Sequence, residues 1–99
     1  MEIVHAGIII PKVYAEKRMR SFQFLNSYGQ KEAIGVIMPY CYDLGLATSK
    51  RTILITSGAL TDSVSKYVYT PDGAPLIFKA GEHIIFECSK PVTYRCLYG

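Results

Sequence analysis

An all-β domain, an antiparallel sandwich or barrel, is the fold class that this sequence predicts. Three observations predict it. Short β-branched and aromatic runs recur along the 99 residues at nearly regular spacing. Turn-forming clusters separate them, namely Asn26-Ser27-Tyr28-Gly29, Ser57-Gly58, Pro71-Asp72-Gly73 and Ser89-Lys90-Pro91. Helical periodicity is absent, and the one helix-permissive stretch, Ala15–Arg20, is too short to stand alone.

The strands follow in order. Glu2–Ile10 is an apolar opening run. Arg18–Leu25 alternates, with Arg18, Arg20, Phe22 and Phe24 opposite Met19, Ser21 and Gln23. The first of these faces turns from basic to aromatic, as at a barrel mouth. Ala33–Leu44 reads as one long strand that is largely apolar on both faces, so a cover on each side is expected. Thr52–Thr56, Tyr67–Thr70, Leu76–Phe78, His83–Cys88 and Val92–Tyr98 complete the set. Gly58 and Gly73 fall where strands reverse and a positive φ is useful. Gly35, inside a strand, predicts a bulge or a close backbone approach.

One domain spanning residues 1–99 is expected, because this length can close a single core without metals or disulfides. A composition of 49% apolar and 19% charged residues is that of a globular chain. No apolar run reaches the roughly 20 residues of a membrane helix. The start MEIVHAGIII lacks the basic-then-apolar pattern of a signal peptide, so a cytoplasmic location is expected. Cys41, Cys88 and Cys96 are odd in number and form no C-x-x-C, which predicts reduced thiols and no zinc site. The formal charge of +3 does not gather into a basic stripe, so no nucleic-acid partner is expected.

Two stretches carry a resemblance. One is Lys31–Leu60, KEAIGVIMPYCYDLGLATSKRTILITSGAL, and the other is YRCLYG at Tyr94–Gly99. Ile34-Gly35-Val36-Ile37-Met38-Pro39 with Tyr42 is similar to an "IGVMLPGEYEF" strand. Ile53–Leu60 is similar to "E-x-M-x-I-x-SG-x-L", and Tyr94-Arg95-Cys96-Leu97-Tyr98 to "Y-x-C-x-Y". In this order and spacing the chain, from about Lys12 to Gly99, resembles the small single-domain cupins of the pyrimidine/purine nucleoside phosphorylase family. One extra residue is needed between Tyr42 and Ile53, the hairpin after Leu60 is shorter, and Tyr67 stands at a tryptophan position.

The resemblance implies a cupin-type jelly roll, an antiparallel β-barrel. It implies phosphate-dependent cleavage of nucleosides, with nucleoside and inorganic phosphate as small-molecule substrates and no cofactor. Tyr42, Arg51, Ser57, His83, Tyr94 and Arg20 become candidate substrate-binding residues, with no catalytic residue assigned. Two family acids are replaced, by Arg51 six residues before Ser57 and by Cys41 before Tyr42. Either Glu82, Glu87 or Asp43 substitutes for them, or Arg51 has become a phosphate ligand. A non-catalytic cupin that binds a nucleoside or sugar is the alternative. The H-x-H pair of metal-binding cupins is missing, since His5 and His83 lie far apart, so no metal is expected. A homodimer is expected from the doubly apolar strand and from the apolar segment Ile3–Ile10.

Overall fold

The structure, a computed structural model, describes residues 10–14 and 19–99, with the backbone alone over residues 10–14. Among the described residues ten strands form two antiparallel sheets, and there is no helix. The strands are β1 (Ile10–Tyr14), β2 (Met19–Leu25), β3 (Lys31–Ile37), β4 (Tyr40–Leu46), β5 (Arg51–Ser57), β6 (Leu60–Asp62), β7 (Val68–Tyr69), β8 (Leu76–Phe78), β9 (His83–Cys88) and β10 (Val92–Tyr98). Six of them make one sheet in the order β1-β2-β3-β10-β5-β8. The other four make a second in the order β4-β9-β6-β7. The two sheets close over a shared core in the cupin-like manner expected. No helix among the described residues is long and apolar enough to cross a membrane.

Most predicted strands are present. The run Glu2–Ile10 lies outside the described residues apart from Ile10, as do Arg18 and most of Ala15–Arg20. The three-residue strand β6 was too short to announce itself beside the Ser57-Gly58 turn, although Leu60 is wholly buried.

Ala33–Leu44 needs correction, because it is two strands in different sheets. Pro39 has no N–H to give to a ladder, and the chain turns a corner at Met38-Pro39. The Met38 carbonyl, freed by the corner, accepts from the Tyr42 phenol and from the Cys88 thiol at 3.4 Å. Before the corner the odd-numbered residues Ala33 and Ile37 face the core; after it the even-numbered Tyr42 does. This switch of face is what makes the stretch look apolar on both sides. On β3 the outward Ile34 is 45% exposed, and its cross-strand neighbour Phe22 on β2 is 49% exposed.

The turns obey local chemistry. Between β2 and β3 the Asn26 side chain accepts from the backbone N–H groups of Tyr28 and Gln30, at 2.9 and 3.0 Å. Gly58 has φ +85°, and a Cβ there would come within 2.7 Å of the Pro91 carbonyl, so the β5–β6 reversal needs glycine twice over. Gly73 sits in its turn, donating to the Thr70 carbonyl at 3.1 Å, without the positive φ expected of it.

Candidate functional site

The alternation of the six-stranded sheet builds the site. Inward residues align across its strands in rows, because paired residues of neighbouring strands share a face. One row is Ser21, Gly35, Tyr94 and Ile55; the next is Gln23, Ala33, Cys96, Ile53 and Leu76. A third joins Tyr98 to Arg51 and Arg51 to Phe78. These rows wall one side of a cavity of about 180 Å³ between the sheets. Leu44 on β4 with Ile84 and Phe86 on β9 close the other side.

The cavity is apolar with few polar groups, the usual make-up of a small-ligand site. Its polar groups are the Ser21 hydroxyl, the Tyr94 and Tyr98 phenols, the Cys96 thiol and the Arg51 guanidinium. No carboxylate lines it among the described residues. Its volume is below the roughly 300–1,000 Å³ of sites for drug-sized molecules, so a compact ligand is what it admits.

Arg51 dominates the electrostatics. Its guanidinium carbon lies 5.2 Å from the centroid of the Tyr98 ring, within cation–π range. Its Nε is the one buried side-chain nitrogen or oxygen among the described residues that has no hydrogen-bond partner. Buried polar groups are nearly always satisfied, so this unpaired donor is a cost to the fold and sets Arg51 apart from the other wall residues. Gln23 donates to the Tyr98 phenol at 3.3 Å and steadies the ring on which Arg51 rests. Burial pushes the Cys96 thiol up to about 11, against the opposing pull of Arg51, a hydrogen bond with Tyr98, and Lys31. The thiol is therefore neutral at pH 7 and serves as a small, soft wall.

The six sequence candidates separate. Arg51 and Tyr94 meet in the cavity. Tyr42 does not line it; it is 2% exposed, packs on Phe86 at 5.6 Å between ring centroids, and pins the Met38 corner. Ser57 is exposed at the end of β5, its hydroxyl 2.5 Å from that of Thr93. His83 is exposed at the start of β9, with Nε2 2.6 Å from Asp43 Oδ1. Arg20 lies on the outer face of β2, beside Phe22, Ile34 and Val36 in a shallow groove. The basic-to-aromatic face of β2 is thus the outside of the sheet, while Met19 and Ser21 enter the cavity.

The carboxylates named as substitutes are elsewhere as well. Asp43 holds His83, Glu87 accepts from the Ser63 hydroxyl at 3.1 Å, and Glu82 accepts from the Lys79 backbone at 2.6 Å. None of the three lines the cavity. Ser21, Cys96 and Tyr98 were missed as site residues. Simple period-two counting finds the last two, since the face that carries Tyr94 also carries Cys96 and Tyr98. No three His, Cys, Asp or Glu side chains gather as a metal site among the described residues.

Solved structures share this fold. A protein of unknown function assigned to DUF1255, from Acinetobacter sp. ADP1, superposes with a TM-score of 0.81 at 18% identity, covering 99% of this chain and 98% of that one. A protein of unknown function from Vibrio parahaemolyticus gives a TM-score of 0.63 at 20% identity, over 92% of this chain and 98% of that one. The Fe(II) structure of HppE gives 0.61 at 8% identity, over all of this chain and 59% of that one. At these identities the likeness extends to the fold alone. No protein-family model matches the chain, and no curated protein matches it.

Proposed function

We propose that this protein is a nucleoside phosphorylase that cleaves purine and pyrimidine nucleosides with inorganic phosphate. The observation that carries the reading is Arg51, which lines a small cavity with two phenols and no carboxylate among its described wall residues, and whose buried Nε has no hydrogen-bond partner. Arg offers phosphate oxygens a planar set of donors, and charge-assisted hydrogen bonds of this kind are among the strong ones. The motif order from Gly35 to Tyr98 supports the same reading.

In the reaction a phosphate oxygen attacks the anomeric carbon of the ribose. The bond from that carbon to the base nitrogen breaks, and its electron pair leaves with the base. The base takes up a proton, giving free base and ribose 1-phosphate. Phosphate is the nucleophile, so no covalent protein nucleophile is required. Its negative charge also faces the positive charge that develops on the sugar. Held at Arg51, it does part of the work of the missing acids. The Tyr94 and Tyr98 rings offer surfaces for the apolar faces of ribose and base. The Ser21 hydroxyl is a small polar group of the wall that can meet a sugar hydroxyl. The reading places the reaction in the cytoplasm, which the free thiols Cys41, Cys88 and Cys96 support.

One observation favours a second reading. The cavity lacks any carboxylate among its described wall residues, so a protein that binds a nucleoside or sugar without turnover also fits. Incubation with a panel of nucleosides, with and without phosphate, separates the two. Release of free base that requires phosphate is expected. Binding without phosphate-dependent release would leave the second reading in its place.

A further inference from the structure

We infer that the Tyr98 end of the cavity is a two-cation seat for a free phosphate dianion, with Lys31 as the second ligand and Tyr98 as the platform that positions both cations. The inference deepens the phosphorylase reading and rests on it for the role of the anion, but it concerns binding alone.

Tyr98 lies on β10, which runs between β3 and β5. Lys31 is the first residue of β3 and Arg51 the first of β5. Because both neighbours are antiparallel to β10, the two strand starts meet the end of β10 from either side. Tyr98 pairs with Arg51, and Lys31 is the next β3 residue beyond the Leu97–Glu32 pair. The Lys31 ammonium stands 4.6 Å from the Tyr98 ring centroid and the Arg51 guanidinium carbon 5.2 Å from it. Both cations also act on the Cys96 thiol from their positions at this end.

Two like charges gathered on one ring repel, and each is normally balanced by an acid. Here neither is paired with a carboxylate among the described residues, whose ion pairs are Asp43–His83 and Glu32–Arg95. Ring attraction offsets part of the repulsion. An oxyanion with two negative charges offsets the rest. The division of labour follows from exposure: Arg51 is half-buried in the wall, while Lys31 is exposed. Arg51 thus supplies directed donors, and Lys31 supplies a flexible charge that favours a dianion over a monoanion.

Calorimetric titration at constant ionic strength tests this without any nucleoside. The ligands are inorganic phosphate, sulfate, nitrate and a nucleoside 5′-monophosphate. The proteins are wild type, Lys31→Gln, Arg51→Gln, Tyr98→Phe and Tyr98→Leu. Phosphate and sulfate are expected to bind more tightly than nitrate. Each loss of a cation should weaken phosphate by about tenfold or more, as for hydrogen bonds to charged groups. Tyr98→Phe keeps the ring and should bind nearly as wild type, whereas Tyr98→Leu should lose affinity as the cation variants do. Unchanged phosphate affinity in Lys31→Gln overturns the inference, as does nitrate binding equal to sulfate. Tighter binding of the 5′-monophosphate than of phosphate overturns the assignment to the free ion. If the seat behaves as expected and no nucleoside is cleaved, the seat stands and the phosphorylase reading falls.

Discussion

The phenol of Tyr94 occupies the space that a side chain at position 35 would need. Gly35 and Tyr94 are paired across β3 and β10, and a Cβ on Gly35 would come within 2.7 Å of the Tyr94 hydroxyl and 2.9 Å of its ring. It would also press on the Arg20 carbonyl, which is backbone and cannot move aside. The ring fills the gap that the glycine leaves in the sheet, an arrangement that stabilises strand glycines. Tyr94 is also a wall of the cavity, so the glycine positions a side chain of the candidate site.

Gly35→Ala should therefore destabilise the fold by roughly 1–3 kcal/mol, the usual cost of overpacking. Tyr94 would be displaced from the cavity, so ligand affinity should fall with stability. Denaturant unfolding measures the first effect and phosphate or nucleoside titration the second. An unaltered midpoint would show that Tyr94 moves freely, contrary to its place in the sheet.

Cys96 predicts an alkaline weakness. Burial pushes its thiol from 9.0 to about 11 in the fold. Below pH 9 the thiol is neutral both folded and unfolded, and its contribution is fully present. As pH rises from 9 towards 11 the unfolded chain ionises first, and stability is lost. The full loss is about 2–3 kcal/mol at 1.36 kcal/mol per pH unit. Cys96→Ala should flatten the stability profile over that range, whatever it does to stability at pH 7. Identical slopes in wild type and variant would sink the assignment.

Asp43 predicts a smaller effect at acid pH. The hydrogen bond from His83 is the main cause that holds its carboxyl below the ordinary value of 3.8, with the Gly45 N–H adding to it. A depressed carboxyl contributes above its unfolded pKa, and the contribution disappears as pH falls through the lower folded value. The loss thus begins near pH 4 and continues below it. Both side chains are exposed, at 50% and 59%, so water and salt screen the pair. Asp43→Asn should change the midpoint of thermal unfolding little at pH 7 and not at all near pH 2. A large change at pH 7 would mean that the pair anchors β4 to β9, whose register shifts between Asp43 and Leu46.

Sequence alternation read most of this fold because period two is a local property, and the final strand shows it best. Val92, Tyr94 and Cys96 all face inward, as counting predicts. The count failed at Met38-Pro39, where the chain changes sheets and the inward parity switches. No local pattern distinguishes a proline within an edge strand from one at a corner. The candidate site was legible at Arg51, which stands where the resembled family has a glutamate and does line the cavity. Ser57, His83 and Arg20 look equally polar in sequence, yet lie at a strand end, at a strand start and on the outer face. Only the packing of one sheet on the other separates these cases.

Arg51 carries the sharpest prediction, because it opposes stability to binding. A half-buried guanidinium with an unsatisfied Nε costs the fold, and Arg51→Met removes that cost while keeping most of the volume. The variant should be more stable by about 1 kcal/mol, the low end of the penalty for an unpaired buried donor. For a domain of this size that corresponds to a midpoint rise of about 4–8 °C. Phosphate should stabilise the wild type by about 2.7 kcal/mol at a hundredfold excess over Kd, and the variant by about 1.4 kcal/mol or less at the same concentration if its affinity falls tenfold or more. Arg51→Glu should lose phosphate binding as well, and without the gain in stability, because it exchanges one uncompensated charge for another. Thermal unfolding across a phosphate series at fixed ionic strength reads all three proteins. An equal phosphate-induced rise in wild type and Arg51→Met would remove Arg51 from the anion site, and with it the observation on which the phosphorylase reading stands.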